Sequence, residues 1–143
     1  MAQQSRVLFI CTANAARSQM AEGYLRAKYG DRFDVFSAGV HPAGQVSPRA
    51  VQAMKEIGID ISGHRPKSVD TFTGVPLDLA VTLCDNAGAV CPVIPSAKRT
   101  IHHAFPDPHL TAGTDEDILD GYRRVRDAIC TWIDATFVHG LPM

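Results

Sequence analysis

Cys11 and Arg17 stand six residues apart, with Thr12, Ala13, Asn14, Ala15 and Ala16 between them and Ser18 directly after. An ordinary cysteine thiol titrates near ~8.5, so it needs help to be a nucleophile at neutral pH. The following helix would point unpaired backbone N–H groups back at the loop, where they favour negative charge. Arg17 adds a permanent charge whose planar fork grips two oxygens of one anion, and the Ser18 hydroxyl can donate to the sulfur. Three alanines let backbone N–H groups approach a ligand closely, and Asn14 tolerates the left-handed conformation of a tight loop. Residues 11–18 therefore read as a cradle for a tetrahedral oxyanion, with Cys11 placed to attack it. A structural cysteine ending a strand would need neither Arg17 nor Ser18.

Two further thiols bear on the fate of the adduct such an attack would form. Cys84 and Cys91 flank the small, polar stretch Asp85-Asn86-Ala87-Gly88-Ala89-Val90. On an intact helix their α-carbons would lie about 10.5 Å apart, whereas a disulfide needs roughly 4.4–6.8 Å. Pairing therefore requires a loop or an unwinding helix, which Gly88 and Pro92 favour. A strand-end thiol beside a second, movable one suits disulfide exchange; two buried cysteines acting as small apolar residues is the alternative. In Phe105-Pro106-Asp107-Pro108 each proline restrains its neighbour. Such a segment either holds the Asp107 carboxyl over a bound anion, where it can protonate a leaving oxygen, or is a common Asp-Pro turn.

Positioning these groups takes strands and helices in alternation. The continuous apolar run Val7-Leu8-Phe9-Ile10 predicts a buried strand over residues 6–11. Met20, Ala21, Tyr24 and Ala27 recur at helical spacing, stopped by Gly30. Residues 33–37 form a second strand, closed by Gly39. Ser47-Pro48 predicts an N-cap and first-turn proline for a helix carrying Val51, Met54 and Ile57, ended by Gly58. Residues 77–83 and, more weakly, 100–104 are the third and fourth strands. Thr114 caps a last helix whose apolar stripe is Ile118, Tyr122, Val125, Ile129, Trp132, Ile133 and Phe137. Cys130 lies beside that stripe as a packing residue, and His41, His64, His109 and His139 show no spacing that supports a site. The alternation implies an α/β fold: a four-stranded parallel sheet with helices on both faces and a site at the carboxyl ends of the strands.

At 143 residues, 45% apolar and 20% charged, the chain is expected to form a single domain over residues 1–143. A net charge of −1 gives no reason to expect nucleic acid or an anionic membrane as partner. There is no run of ~18 apolar residues and no signal-peptide core near the start. A cytoplasmic monomer is the expectation, and there four cysteines read as thiols, metal ligands or redox catalysts rather than a disulfide frame.

The loop resembles the signature of the low-molecular-weight tyrosine phosphatase fold family, a cysteine and an Arg-Ser pair separated by five residues near the N-terminus. The likeness runs on through Gln19-Met20-Ala21-Glu22-Gly23, Ser37-Ala38-Gly39 and Asp60-Ile61-Ser62 to Asp107-Pro108. It implies that family's Rossmann-like three-layer sandwich, Cys11 as nucleophile, Arg17 as anion ligand and Asp107 as acid. Val81-Thr82-Leu83-Cys84 through Cys91-Pro92 resembles a redox branch of the same fold, the thioredoxin-coupled arsenate reductases. That likeness implies a relay. Cys11 attacks arsenate, Cys84 attacks Cys11 as arsenite leaves, Cys91 then forms Cys84–Cys91, and thioredoxin reduces that disulfide. No bound cofactor or metal is implied, and phosphate or sulfate would compete as oxyanions.

The chain departs from the family in informative places. Ala13 replaces a usual glycine, and Ala16 removes a vicinal cysteine many members carry, which leaves Cys84 as the resolving thiol. Some reductases of the branch bind potassium through an Asn, a Glu, a Ser and an Asp. Asn14, Glu22 and Ser37 match three of these, but Lys67 occupies the aspartate position, so its ammonium is expected to replace the cation; a solvated lysine is the alternative. His109 and Leu110 stand where phosphatases of the family place tyrosines. A phosphatase working through a cysteinyl-phosphate is nevertheless the main rival, and residual phosphatase activity is expected. A zinc module built from Cys84, Cys91, His102 and His103 is disfavoured, because adjacent strand residues point to opposite faces. A redox-sensing binding protein would keep the thiols but would not require Asp107.

Overall fold

The computed structural model describes residues 4–84 and 94–142. Four strands, β1 (Ser5–Cys11), β2 (Phe33–Gly39), β3 (Leu79–Thr82) and β4 (Thr100–His102), form one parallel sheet in the order β2-β1-β3-β4. Among the described residues three α-helices, α1 (Arg17–Tyr29), α2 (Pro48–Lys55) and α3 (Asp115–Phe137), accompany the sheet. The period-2 alternation of β1 divides the core. Val7, Phe9 and Cys11 face a cluster that includes Met20 and Leu25 of α1, Ala53 and Met54 of α2, and Ile129 and Phe137 of α3. Leu8 and Ile10 face the opposite layer, built on Phe72, Leu77, Ala80 and Ile94 beside a 3-10 turn at Val69–Phe72.

The switch in strand order at β1 is what makes a crevice at the carboxyl end of the sheet. β1 is flanked by β2 and β3, so Cys11 sits opposite Gly39, and Leu83 continues the β1–β3 ladder by donating its N–H to the Ile10 carbonyl. The chain leaving β1, β2 and β3 therefore passes through one region, at Cys11, Gly39 and Leu83. Leu77–Leu83 is not strand throughout: the Asp78 carboxylate takes the Arg6 N–H at 2.7 Å and breaks the regular ladder before Leu79. Thr114 caps α3 through a reciprocal capping box with Asp117. Pro48 does open α2, but the Ser47 side chain donates to the Tyr122 hydroxyl (3.1 Å) instead of capping the helix. Among the described residues no helix is long and apolar enough to cross a membrane.

Candidate active site

Residues 12–16 leave β1 as a run of bends and enter α1 at Arg17. The carbonyls of Cys11, Thr12, Ala13 and Ala15 turn outward, accepting from the N–H groups of Val40, His41, Ala43 and Ser47 at 2.8–3.2 Å. Asn14 reverses the chain at φ 52°, and its carbonyl accepts from the Gln19 side chain at 3.1 Å. With the carbonyls committed outside, the loop presents its amide side to the crevice. The first turn of α1 carries no acidic residue and Ala16 supplies no side-chain cap. Both features suit an anion at the helix N-terminus.

Gly39 makes this packing possible. A Cβ at that position would lie 2.8 Å from both the Asn14 nitrogen and the Thr12 carbonyl oxygen, closer than real side chains approach backbone. Only glycine lets β2 pass directly under the loop.

Cys11 is 2% exposed, and its sulfur lies 2.9 Å from Ser18 Oγ. Ser18 Oγ already accepts from Asn14 Nδ2 at 2.7 Å, which leaves the hydroxyl hydrogen for the sulfur. Arg17, also buried, donates from Nη1 to the Phe105 carbonyl at 3.1 Å, and its Nη2 lies 3.8 Å from Asp107 Oδ2. Asp107 caps the 3-10 turn at Pro108–Leu110 by accepting from the His109 N–H at 2.9 Å. The proline-bracketed segment thus aims its carboxyl at the Arg17 guanidinium.

Cys84 lies two residues beyond β3 and is 3% exposed. The Thr12 hydroxyl contacts its sulfur at 3.9 Å, so the second thiol reaches the residue next to Cys11. Cys91 lies outside the described residues. His102 and His103 diverge: the ring of His102 meets the Thr82 hydroxyl at 2.7 Å, whereas that of His103 stacks on Trp132. They do not share a side from which to ligate one ion with Cys84.

Behind the loop, Glu22 collects the supporting residues. Ser37 Oγ donates to its Oε1, Arg26 pairs with Oε2 at 2.7 Å, and Lys67 Nζ stands 4.0 Å from Oε1 while donating to the Arg65 carbonyl at 2.8 Å. Asn14 Oδ1 accepts from the Lys67 N–H (2.8 Å) and from Gln19 Nε2 (3.0 Å). Asn14, Glu22, Ser37 and Lys67 therefore lie together behind the loop. Their oxygens are already engaged, and a resident ammonium faces the carboxylate, so this donor set does not fit a potassium ion. Burial depresses the Lys67 ammonium from its usual range, and Glu22 opposes that shift.

Beyond the loop a cavity of about 380 Å³ opens, walled by Ala43, Pro48, Arg49, His109 and Tyr122 as well as the loop itself. Sequence spacing does not single out Tyr122 for this role, because it reaches the crevice through long-range packing, whereas His109 stands two residues after Asp107. Nor does spacing mark His64, which packs behind the loop. Its Nδ1 lies 2.9 Å from Gln19 Oε1 and 3.8 Å from Glu22 Oε2. Burial lowers its titration point below 6.5, the strongest opposing influence being Glu22. No local sequence signal reveals this placement.

Residues 6–136 match the family model of low molecular weight phosphotyrosine protein phosphatases. An arsenate reductase of Halalkalibacterium halodurans is 50% identical over 123 residues, covering 86% of this chain and 88% of that protein. Among solved structures, an arsenate reductase in its phosphate-binding state superposes with a TM-score of 0.78 at 28% identity, covering 92% of this chain and 95% of the other. The thioredoxin-dependent arsenate reductase of Corynebacterium glutamicum gives 0.66 at 27% identity, over 94% of this chain and 62% of that one.

Proposed function

The chain belongs to the low molecular weight phosphotyrosine protein phosphatase family, and on that premise we propose that it reduces arsenate to arsenite by a relay of thiols. The observation that carries this reading is the placing of Cys84, a second buried sulfur in contact with the loop residue beside the nucleophile. Phosphate-ester hydrolysis has no use for it. The 50% identity to a protein named for arsenate reduction supports the same choice.

Arsenate binds in residues 12–18, its oxygens taken by loop N–H groups and the Arg17 fork. The Cys11 thiolate attacks arsenic(V), an S–As bond forms, and one oxygen leaves as water with a proton from Asp107. Cys84, as thiolate, then attacks the Cys11 sulfur. The S–As bonding pair goes to arsenic, which departs as arsenic(III), and a Cys11–Cys84 disulfide forms. Cys91 attacks Cys84, freeing Cys11 and leaving Cys84–Cys91. Thioredoxin, the dithiol reductant named for the C. glutamicum relative, returns the pair to thiols. The setting is a cytoplasmic monomer with no bound cofactor, and Lys67 fills the cation position behind the loop.

NADPH oxidation coupled through thioredoxin reductase and thioredoxin tests the scheme. Arsenate should drive turnover by the wild type and not by Cys84→Ser, while Cys91→Ser should complete one turnover and stop. Turnover surviving in Cys84→Ser would sink the relay. Brisk hydrolysis of an aryl phosphate with no arsenate turnover would instead favour the cysteinyl-phosphate route. The cavity beyond the loop, much larger than an oxyanion, keeps that second reading in play.

A further inference from the structure

We propose that Trp132 is a positioning residue for Arg17, acting through an aromatic clamp on the segment that carries the Phe105 carbonyl and Asp107. The proposal rests on Arg17 being the anion ligand and extends outward from it. The Arg17 fork donates from Nη1 to the Phe105 carbonyl at 3.1 Å, and its Nη2 lies 3.8 Å from Asp107 Oδ2. A planar guanidinium turns with the acceptor that holds it. The setting of residues 105–107 therefore bears directly on the direction of the fork.

That segment lies past the end of β4 and is held in two ways. Along its edge, the His103 N–H donates to the Thr82 carbonyl at 2.9 Å and the Phe105 N–H to the Leu83 carbonyl at 3.2 Å, so pairing with the chain leaving β3 runs on beyond His102. It goes no further at the next position, because Pro106 has no N–H to give. On its face, period-2 alternation puts Ile101, His103 and Phe105 on one side, toward the core cluster that α3 covers. There Trp132 meets them. Its indole stacks on the His103 ring (centroids 4.8 Å apart, planes at 24°) and meets the Phe105 ring edge-on (6.0 Å, 73°), while the His103 and Phe105 rings lie 4.9 Å apart.

Trp132 is itself anchored. Its ring meets Phe137 edge-on (5.8 Å, 85°), and Phe137, with no exposed surface, packs on Phe9 of β1 and Phe33 of β2. The clamp thus refers the position of Phe105 to the strand that ends in Cys11. Pro106 and Pro108 stiffen the step from Phe105 to Asp107, so a tilt of the Phe105 ring carries to both the carbonyl and the carboxyl. Removing the indole leaves the two edge bonds in place but frees that tilt. The fork then loses the orientation that grips the anion, and anion affinity falls. Linkage makes the effect reciprocal: an anion bound better with the clamp closed must itself tighten the clamp.

The test is the inhibition constant of phosphate against arsenate, with KM and kcat for arsenate and a melting curve for each variant. Trp132→Leu should raise the phosphate constant and KM about five- to tenfold, as for one weakened hydrogen bond to a charged group, with kcat within about threefold. Trp132→Phe, which keeps a ring against His103 and Phe105, should stay within about twofold of wild type. Ile129→Val, a buried change on the same helix, should lower the melting temperature and leave the phosphate constant unchanged; a Trp132 that served stability alone would behave the same way. His103→Ala should add little to Trp132→Leu in a double-mutant cycle, because the two rings act as one unit. Trp132 is the one tryptophan of the chain, so the wild type supplies a second measurement even if the leucine variant does not fold. Saturating phosphate should lower acrylamide quenching of its fluorescence at least ~1.5-fold. Unchanged phosphate affinity in Trp132→Leu, a phenylalanine variant as weak as leucine, or equal quenching with and without phosphate overturns the clamp. Unchanged phosphate affinity in Arg17→Lys overturns the anion-ligand reading and the clamp with it.

Discussion

Replacing Lys67 by aspartate should create a potassium requirement that the native protein lacks. Around Glu22 the charges are Glu22 −1, Arg26 +1 and Lys67 +1, a net of +1 with His64 neutral. A potassium ion placed there would meet this excess at about 4 Å, the distance of Lys67 Nζ from Glu22 Oε1. At an effective dielectric of ~20 the repulsion is about 4 kcal/mol, and less once solvent screening at the one-third exposed lysine is allowed for. Even ~1.4 kcal/mol weakens binding tenfold. In Lys67→Asp the sum becomes −1 + 1 − 1, a net of −1, and a second carboxylate becomes available.

The assay compares arsenate turnover in sodium and potassium chloride at constant ionic strength, with melting curves in each salt. The wild type should be indifferent. Lys67→Asp should be slower in sodium and recover roughly three- to tenfold in potassium, in the range of ~1 kcal/mol of cation-dependent loop order. Lys67→Met, which removes a charge without adding a ligand, should lose activity and not respond. A several-fold potassium stimulation of the wild type would refute the reasoning outright, since it would place a cation where the ammonium stands.

Three further outcomes are expected from other parts of the structure. Gly39→Ala forces a methyl against two backbone atoms of the loop at 2.8 Å; stability should fall by about 1–3 kcal/mol in urea melts, and kcat/KM should fall at least tenfold. Arg17→Lys keeps the charge but loses the fork that spans the anion and the Phe105 carbonyl; KM for arsenate should rise at least tenfold, and a value within twofold would remove Arg17 from the binding site. Burial pushes the Cys130 thiol up to about 11 from 9.0. Its protonated form is favoured by the fold, so the associated stability is intact below pH 9 and is lost as pH rises toward 11. Cys130→Ala should flatten that part of the stability profile, and identical slopes in the two proteins would dismiss the burial argument.

The parts of the molecule legible in sequence are those set by local chemistry. Val7-Leu8-Phe9-Ile10, a continuous run rich in Val, Ile and Phe, reads as a strand covered on both sides, and β1 is flanked and covered accordingly. Thr114 and Asp117 spell their own capping box within four residues. The turn at Asn14 is likewise local, since asparagine tolerates the positive φ found there. What escaped depended on partners distant in sequence. Ser47 has the right type and place for an N-cap, yet the Tyr122 hydroxyl, 75 residues on, claims its side chain. The third strand is shortened by the Asp78 carboxylate competing for the Arg6 N–H, 72 residues back. His64 sits in a run with no periodicity, and its meaning appears only when folding sets it against Gln19, 45 positions earlier.

The wiring of the loop also bears on how arsenate can be used in the presence of phosphate. The carbonyls of residues 11, 12, 13 and 15 are tied outward, and what remains for a ligand is amide hydrogens and one guanidinium. Such a surface reads negative charge and tetrahedral disposition; it has no contact that distinguishes the central atom. Discrimination by binding alone is therefore weak. The difference enters after attack. A thiophosphate link to Cys11 can only be hydrolysed, because phosphorus(V) does not accept the electron pair when a second thiol attacks sulfur. An arsenic(V) link can be cleaved reductively. On the proposed relay, Cys84, held against Thr12 at the edge of the same loop, is the selective element, and phosphate is expected to compete for the site without advancing the relay. Raising phosphate should accordingly raise KM for arsenate while leaving kcat unchanged. A phosphate effect on kcat would mean that the anion also acts beyond the loop.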